Sequence, residues 1–286
     1  MLKDSLAAAY TPQSAHADQR GPPRCRERKG GTNRVEIMVT SRLGSSQEDG
    51  QVENVAVRRN IYEAPAYKIS EAALYLRLPD TTLRSWVVGR YYPVAHERRR
   101  FQPIIAIANP TGGFLSFNNL VEAHVLGAIR RKHKIKLNKV RDAVQYLRKH
   151  FGSKHPLIEL QFETDGINLF VEMIGKLVNV SSEGQIAMRK VLELHLRRIE
   201  RDPKGLPIRL YPFTRSELEP ESSGIVVIDP AVSFGRPIIS RLGVRTLMIA
   251  ERYKAGERVA DLVADYDAEQ DEIEEAIRCE LQVPAA

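Results

Sequence analysis

Two short runs of helical apolar periodicity, parted by a proline and closed by a glycine, constrain this chain more than any other feature. Ser70 can cap the first run, which continues to Leu76 and puts Ala72, Ala73 and Leu76 on one face. Arg77-Leu78-Pro79 breaks it, since proline has no N–H and its ring pushes the preceding residue out of the helical region. Asp80–Trp86 then restarts a helix with Asp80 or Pro79 at its head, and Gly89 ends it. Two short helices joined by a tight turn predict a helix-turn-helix whose second helix is available to a major groove.

The pattern around this unit divides the chain into four expected parts. Residues 1–60, with GPPRCRERKGGTNR and SRLGSSQEDGQ, are rich in Gly, Pro, Ser and charge and read as a disordered leader; Met38 offers an alternative start. Residues 61–152 hold the helix-turn-helix, a wing and two longer helices. Phe101–Ala108 and Phe114–Phe117, around Asn109-Pro110-Thr111-Gly112-Gly113, predict the wing hairpin. A long helix capped by Ser116 or Asn118 then runs to about Lys132 with Leu120, Val121, His124, Val125, Ala128 and Ile129 inward. A second runs from Leu137 to His150 over Val140, Ala143, Val144 and Leu147.

Residues 153–215 form a central region. Leu157–Glu163 and Ile167–Glu172 flank Thr164-Asp165-Gly166 and predict a hairpin, with Leu177–Val180 as a third strand, Gly184–Glu200 helical and Ile208–Pro212 extended. Residues 216–286 form a C-terminal unit after the polar linker Thr214–Gly224. A strand pair, Ile225–Ile228 with Pro237–Ser240, precedes three helices over Thr246–Lys254, Val259–Tyr266 and Asp271–Cys279. The fold class expected is α+β, mostly helical: a winged helix-turn-helix, a small antiparallel sheet with a helix, and a three-helix C-terminal domain.

Charge separates the ends. Residues 216–286 hold 7 Lys/Arg against 15 Asp/Glu, whereas residues 1–215 hold 36 against 21. Opposite fields suit opposite partners: DNA for the front, and a basic or apolar surface for the back. Other classes find little support. No apolar run approaches the roughly 20 residues of a membrane helix, and MLKDSLAAAY is too polar for a secretory signal. The two cysteines, Cys25 and Cys279, suit a reducing cytoplasm and no disulfide framework, and the seven histidines have no metal-ligand spacing. No metal site and no cofactor is expected.

Thr81, Thr82, Arg84 and Ser85 occupy the exposed side of the expected recognition helix, while Leu83 and Trp86 anchor it. Arg90 comes next, and Arg98-Arg99-Arg100 lies at the base of the expected wing. Residues 121–150 add Arg130, Arg131, Lys132, Lys134, Lys136, Lys139, Arg141, Arg148 and Lys149 against Glu122 and Asp142. Phosphate contacts from such a cluster give affinity without sequence choice. A solvated basic face is the alternative for any one of these residues.

Residues 67–150 resemble the MerR-like winged helix-turn-helix through Ile69-Ser70-Glu71-Ala72-Ala73, Thr82-Leu83-Arg84-Ser85-Trp86 and Leu115-Ser116-Phe117-Asn118-Asn119-Leu120-Val121. Between Gly89 and Leu115 the chain departs from that family, with a longer insert bearing Pro and Arg in place of a compact wing. The C-terminal resemblance is carried by Val227-Ile228-Asp229-Pro230, Phe234-Gly235-Arg236-Pro237-Ile238-Ile239, Gly243-Val244-Arg245-Thr246, Arg252-Tyr253-Lys254-Ala255-Gly256-Glu257, Leu262-Val263-Ala264-Asp265-Tyr266 and Ile273-Glu274-Glu275-Ala276-Ile277-Arg278. In this order they resemble a small helical domain of unknown function found in VapB-like antitoxins encoded beside PIN-domain toxins. That resemblance implies an antitoxin of a type II toxin–antitoxin module, one that binds and silences a ribonuclease toxin and represses its own operon.

Asp261, Asp265 and Asp267 make the middle helix of this unit acidic and ill suited to phosphates, so a protein partner is expected there, through Asp261, Asp265, Tyr266 and Glu274. The partners expected are operator DNA, a PIN-domain toxin and a second copy of the chain, because helix-turn-helix proteins read paired half-sites. Two alternatives stay open. One is a stand-alone MerR-like regulator that senses a ligand. The other is a metal-dependent nuclease using Asp261, Asp265, Asp271, Glu274 and Glu275, although metal nucleases need carboxylates converging in a cleft and these alternate with Leu262, Val263 and Tyr266. A non-enzymatic regulator is the reading preferred.

Overall fold

A computed structural model describes residues 61–94, 97–133, 135–159, 162–178, 180–214 and 224–281. The expected leader, with Cys25 and Met38, and most of the expected linker lie outside the described residues. No helix of the described residues is long and apolar enough to cross a membrane.

The chain enters through β1 (Tyr67–Lys68), α1 (Ile69–Tyr75) and α2 (Asp80–Val87). Lys68, not Ser70, caps α1, because the Glu71 carboxylate reaches back to accept the Lys68 N–H at 2.9 Å. Arg77 takes a left-handed backbone, φ 54°, and Pro79 O accepts from the N–H groups of Thr82 and Leu83, so the break and restart fall where the proline put them. Ala72 and Ala73 of α1 and its C-cap Leu76 share one core with Leu83, Trp86 and Val87 of α2.

A ribbon comes directly after α2. β2 (Arg90–Val94) pairs antiparallel with β3 (Glu97–Phe101), in the register Arg90↔Phe101, Tyr91↔Arg100 and Val94↔Glu97. The hairpin expected over Phe101–Phe117 shrinks to its turn, where Asn109 and Phe114 exchange both backbone hydrogen bonds at 3.1 Å. Phe114-Leu115 (β4) instead pairs with Tyr67-Lys68, which closes the helix-turn-helix into a loop of chain. The apolar residues Ile104, Ile105 and Ile107 are buried as irregular chain rather than strand. Ile104 and Ile105 donate to Trp86 O at 2.7 and 3.1 Å, so their partners lie on α2 and not on a neighbouring strand.

Helix α3 spans Phe117–His133. Ser116 Oγ accepts from Asn119 N at 3.2 Å, and every residue from Asn119 to Ile129 is buried, His124 included. It packs on α6 (Ser182–Leu196), and α5 (Ile167–Val178) packs on both α6 and α4 (Leu137–Phe151). The predicted hairpin at 157–172 is overturned. Phe162–Gly166 is a π-helical turn that runs into α5, which also takes Leu177 and Val178 from the expected third strand. Phe162, Gly166, Phe170 and Ile174 recur every fourth residue and are buried. Gly166 sits in the turn signal because Phe162 and Phe151 press against it, not because the chain reverses there.

The small sheet lies further on. β5 (Ile199–Arg201) pairs with β6 (Pro207–Leu210), so α6 ends at Leu196, short of the expected Glu200. A bridge from Leu210 to Ile228 joins this pair to β7 (Val226–Val227), which pairs with β8 (Ile238–Ile239). α7 (Thr246–Lys254), α8 (Val259–Tyr266) and α9 (Gln270–Glu280) then enclose a second, smaller core of Ile239, Ile249, Leu262, Ile273 and Ala276. The strand pair and the three helices fall where the sequence pattern put them.

The C-terminal unit rests on the helix-turn-helix. Arg236 pairs with Glu71 of α1 at 3.1 Å and lies 5.8 Å from the Tyr67 ring centroid. Gly235, at φ 72°, fits beneath the Tyr67 hydroxyl, and a Cβ there would stand 2.2 Å from that oxygen. Burial pushes the phenols of Tyr67 and Tyr75 up, that of Tyr75 to about 12.

A partly buried polar network ties the helical residues 61–63 to α3. The imidazole of His155 lies 2.7 Å from the Glu122 carboxylate and 3.1 Å from that of Glu63, which also holds Asn118 and Lys154. These groups line or back a cavity of about 310 Å³ with Tyr62, Ile158, Leu206 and Pro207. Sequence reasoning missed them, having counted Glu122 as a surface charge.

Candidate nucleic-acid interface

Helix α2 has two faces of opposite character. Leu83 and Trp86 are completely buried and Val87 nearly so, at the i, i+3, i+4 spacing of a packed stripe. On the other face Thr81 and Arg84 are exposed, and Thr82 and Ser85 are half-buried. Ser85 Oγ donates to Thr82 O at 2.7 Å, which keeps its lone pairs outward. Arg84 Nε donates to the Asp80 carboxylate at 3.2 Å, with both side chains about half exposed. Such a pair is worth a few tenths of a kcal/mol, about 0.3–0.5 for this spacing, so the guanidinium is free to exchange it for a base or phosphate.

The ribbon is set against this face by three contacts. Gly89 takes φ 84°, and a Cβ there would meet Phe101 O at 2.3 Å, so only glycine lets the chain turn from α2 straight into β2. Arg100 Nη2 donates to Val88 O at 3.0 Å, and its guanidinium lies 5.7 Å from the Tyr91 ring centroid. Arg90, Tyr91 and Arg100 are exposed. Thr81, Thr82, Ser85 and Arg90, with Phe101 and Leu137, surround a groove of about 290 Å³.

Leu137 is the first residue of α4, and exposed Lys136 caps that helix without a side-chain bond to it. The N-terminal end of the helix dipole adds positive potential beside the groove. Lys139 lies in the same turn, half-buried. Arg98 and Arg99 sit on β3 at the register of Pro93 and Tyr92, and Arg130, Arg131 and Lys132 on the last turn of α3. The side chains of these five lie outside the described residues.

Two members of the basic cluster have another job. Arg141 is buried, donates Nε to Gln102 O at 2.9 Å and stacks over the Phe101 ring at 5.0 Å. Arg148 donates to Ile104 O at 3.1 Å. Both hold the irregular chain after the ribbon. Nothing in a run of basic residues could have separated them from Lys136 or Lys149; their distinction is made by the segment at 102–105, remote in sequence.

In the C-terminal unit the acidic residues are matched by arginines. Asp261 pairs with Arg258 at 2.8 Å, a hydrogen bond that lowers the carboxyl pKa. Asp265 and Glu257 both hold Arg252, whose guanidinium lies 5.2 Å from the Tyr266 ring centroid. Glu274 and Glu275 hold Arg278, and Glu272 holds Arg241 at 2.6 Å. Among the described residues no three His, Cys, Asp or Glu side chains converge as a metal site would require.

Two family descriptions match separate stretches of the chain. Residues 65–144 match the family described as "Putative DNA-binding HTH domain", and residues 226–278 match "Protein of unknown function (DUF433)". The chain is 28% identical over 238 residues to "Putative antitoxin VapB45" of Mycobacterium tuberculosis, covering 76% of this chain and 94% of that protein. It is 23% identical over 227 residues to "Uncharacterized protein Rv2308" of the same organism, covering 76% and 91%. The crystal structure of Rv2018 from Mycobacterium tuberculosis superposes with a TM-score of 0.55 at 21% identity, over 76% of this chain and 99% of that one, a likeness of fold.

Proposed function

We propose that this chain is the antitoxin of a type II toxin–antitoxin module. Its helix-turn-helix binds operator DNA and represses the operon, and it neutralises a PIN-domain ribonuclease toxin. The observation that carries the DNA half is the α2 surface: Thr81, Thr82, Ser85 and Arg90 around one groove, Arg84 beside them, and a sealed face behind. Phosphate contacts from Arg100, Lys136 and the end of α3 supply affinity, and the α2 side chains supply choice. The toxin half is supported by the similarity to a protein named as an antitoxin, and by the acidic C-terminal unit. Asp261, Asp265, Tyr266 and Glu274 are proposed to face the toxin, whose basic groups would exchange with Arg252, Arg258 and Arg278.

A homodimer reading two half-sites in the cytoplasm completes the proposal. The test is co-expression: the product of the adjacent gene should arrest growth alone, and this chain should restore it. Growth arrest that the chain does not relieve removes the antitoxin reading. A second reading, a ligand-sensing regulator without a toxin, is favoured only by the cavity beside Glu63 and His155. Its mark would be DNA binding that responds to a small molecule and to no protein.

A further inference from the structure

The most exposed large apolar side chain among the described residues is Phe234, at 93% of its full accessible surface. It stands in the short turn Ser233–Gly235, between β7 and β8. Three consecutive residues there, Ser233, Phe234 and Gly235, have positive φ of 48°, 55° and 72°. Only the last is a glycine, so the turn forces two ordinary side chains into a backbone region they avoid. A free Phe in water with a strained backbone is costly twice over, and such strain persists where the surroundings enforce it.

The surroundings do enforce it. Asp229 caps the turn, its carboxylate accepting from Ala231 N at 2.8 Å and from Arg209 at 2.8 Å. Arg236 N closes the other side on Ser233 O at 3.1 Å, while the Arg236 side chain is fixed on Glu71. Gly235 is wedged beneath Tyr67. Phe234 is therefore a phenyl ring on a rigid mount, with exposed Ala231 and Val232 before it. Arginine–carboxylate pairs flank the turn on both sides in sequence, the arrangement of an apolar anchor with a polar rim.

We infer that Phe234 is the anchor by which this chain docks into an apolar pocket on its protein partner. The inference rests on the antitoxin reading and names where the toxin is gripped. A second copy of the chain is the competing occupant, and the oligomeric state of wild type and variant separates it from the toxin. DNA fits less well: residues 216–286 carry 15 acidic against 7 basic residues, and both arginines at the turn are already held by carboxylates.

The test uses the full-length chain, its Phe234→Ala and Phe234→Gly variants, and the purified product of the adjacent gene, by calorimetry. Both variants should weaken binding by at least about 30-fold, the size of a central aromatic anchor. Their thermal midpoints should hold or rise, most for Phe234→Gly, because glycine relieves the positive φ. Equal affinity of wild type and variants overturns the anchor and leaves the antitoxin reading standing. No binding by wild type removes both. Loss of operator binding without loss of the protein would make the ring a DNA wedge, and a wild-type dimer that Phe234→Ala splits would make it a self-contact; either overturns the inference.

Discussion

Arg84 and Trp86 are two residues apart and face opposite tasks. Trp86 is wholly buried and its carbonyl anchors Ile104 and Ile105, so Trp86→Ala should cost about 3–5 kcal/mol of stability, measured by denaturant unfolding. Arg84 is exposed, and Arg84→Ala should leave stability within about 0.5 kcal/mol. It should relax base choice at one operator position by about 1–3 kcal/mol in competition binding. Equal loss on unrelated duplexes would make Arg84 a phosphate contact. Both positions, Trp86 inward and Arg84 outward, were legible in sequence, because spacing around a helix sorts one from the other. His155 was not legible, since its partners Glu122 and Glu63 come from other elements.

Burial works against the charged form of His155, but the hydrogen bond and charge of Glu122, together with the charge of Glu63, outweigh it and raise the imidazole pKa above 6.5. The imidazolium thus contributes stability in full below pH 6.5, and that contribution is lost as pH rises through the folded value. Burial raises Glu122 likewise, which also favours the fold at lower pH. Glu63 acts in the opposite sense: burial would raise it, but its bonds to Asn118 and Lys154 lower it, so its contribution is lost as pH falls below 4.5. Thermal unfolding should therefore show stability declining above pH 6.5, and His155→Phe should flatten that decline. At pH 6 the variant should lose about 3 kcal/mol, as a buried pair does when one partner is removed. A parallel decline in the variant would assign the slope to another group.

At the scale of elements, the sequence misled where a local signal met a remote one. Thr164-Asp165-Gly166 is a strong turn signal, yet the buried set Phe162, Phe170, Val171 and Ile174 has helical spacing and needs α4 and α6 to cover it. A substitution pair tests the outcome. In a strand Glu172 and Ile174 share a face; in α5 Ile174 is buried and Glu172 exposed. Ile174→Ala should cost about 2–5 kcal/mol, and Glu172→Ala should change stability by less than about 0.5 kcal/mol. The hairpin between α2 and α3 was mislaid by a similar conflict. Arg90–Phe101 is rich in Tyr and Arg and carries Pro93, so its alternation is weak, and the ribbon is fixed by Gly89 and by Arg100 on Val88. The C-terminal strands and helices were read well, since each is closed by its own local punctuation: Gly256 for α7, and the left-handed Asp267 for α8.

Across the whole molecule, two cores carry two kinds of surface. The larger core holds the helix-turn-helix and its groove, in the part of the chain with 36 basic against 21 acidic residues. The smaller holds the acidic unit, pinned to α1 through Arg236 and Glu71. The joint between them is not legible in charge counts, because it is made by side chains far apart in sequence. The proposal stands or falls on whether the basic module grips operator DNA. Fluorescence anisotropy of the full chain on its own promoter, titrated from about 50 to 200 mM salt, measures it. The expected result is tight retention at low salt, a steep linear fall of log affinity with log salt at a slope near about −0.9 for each phosphate contacted, and a preference over scrambled duplex. Absence of binding at about 50 mM salt would contradict it.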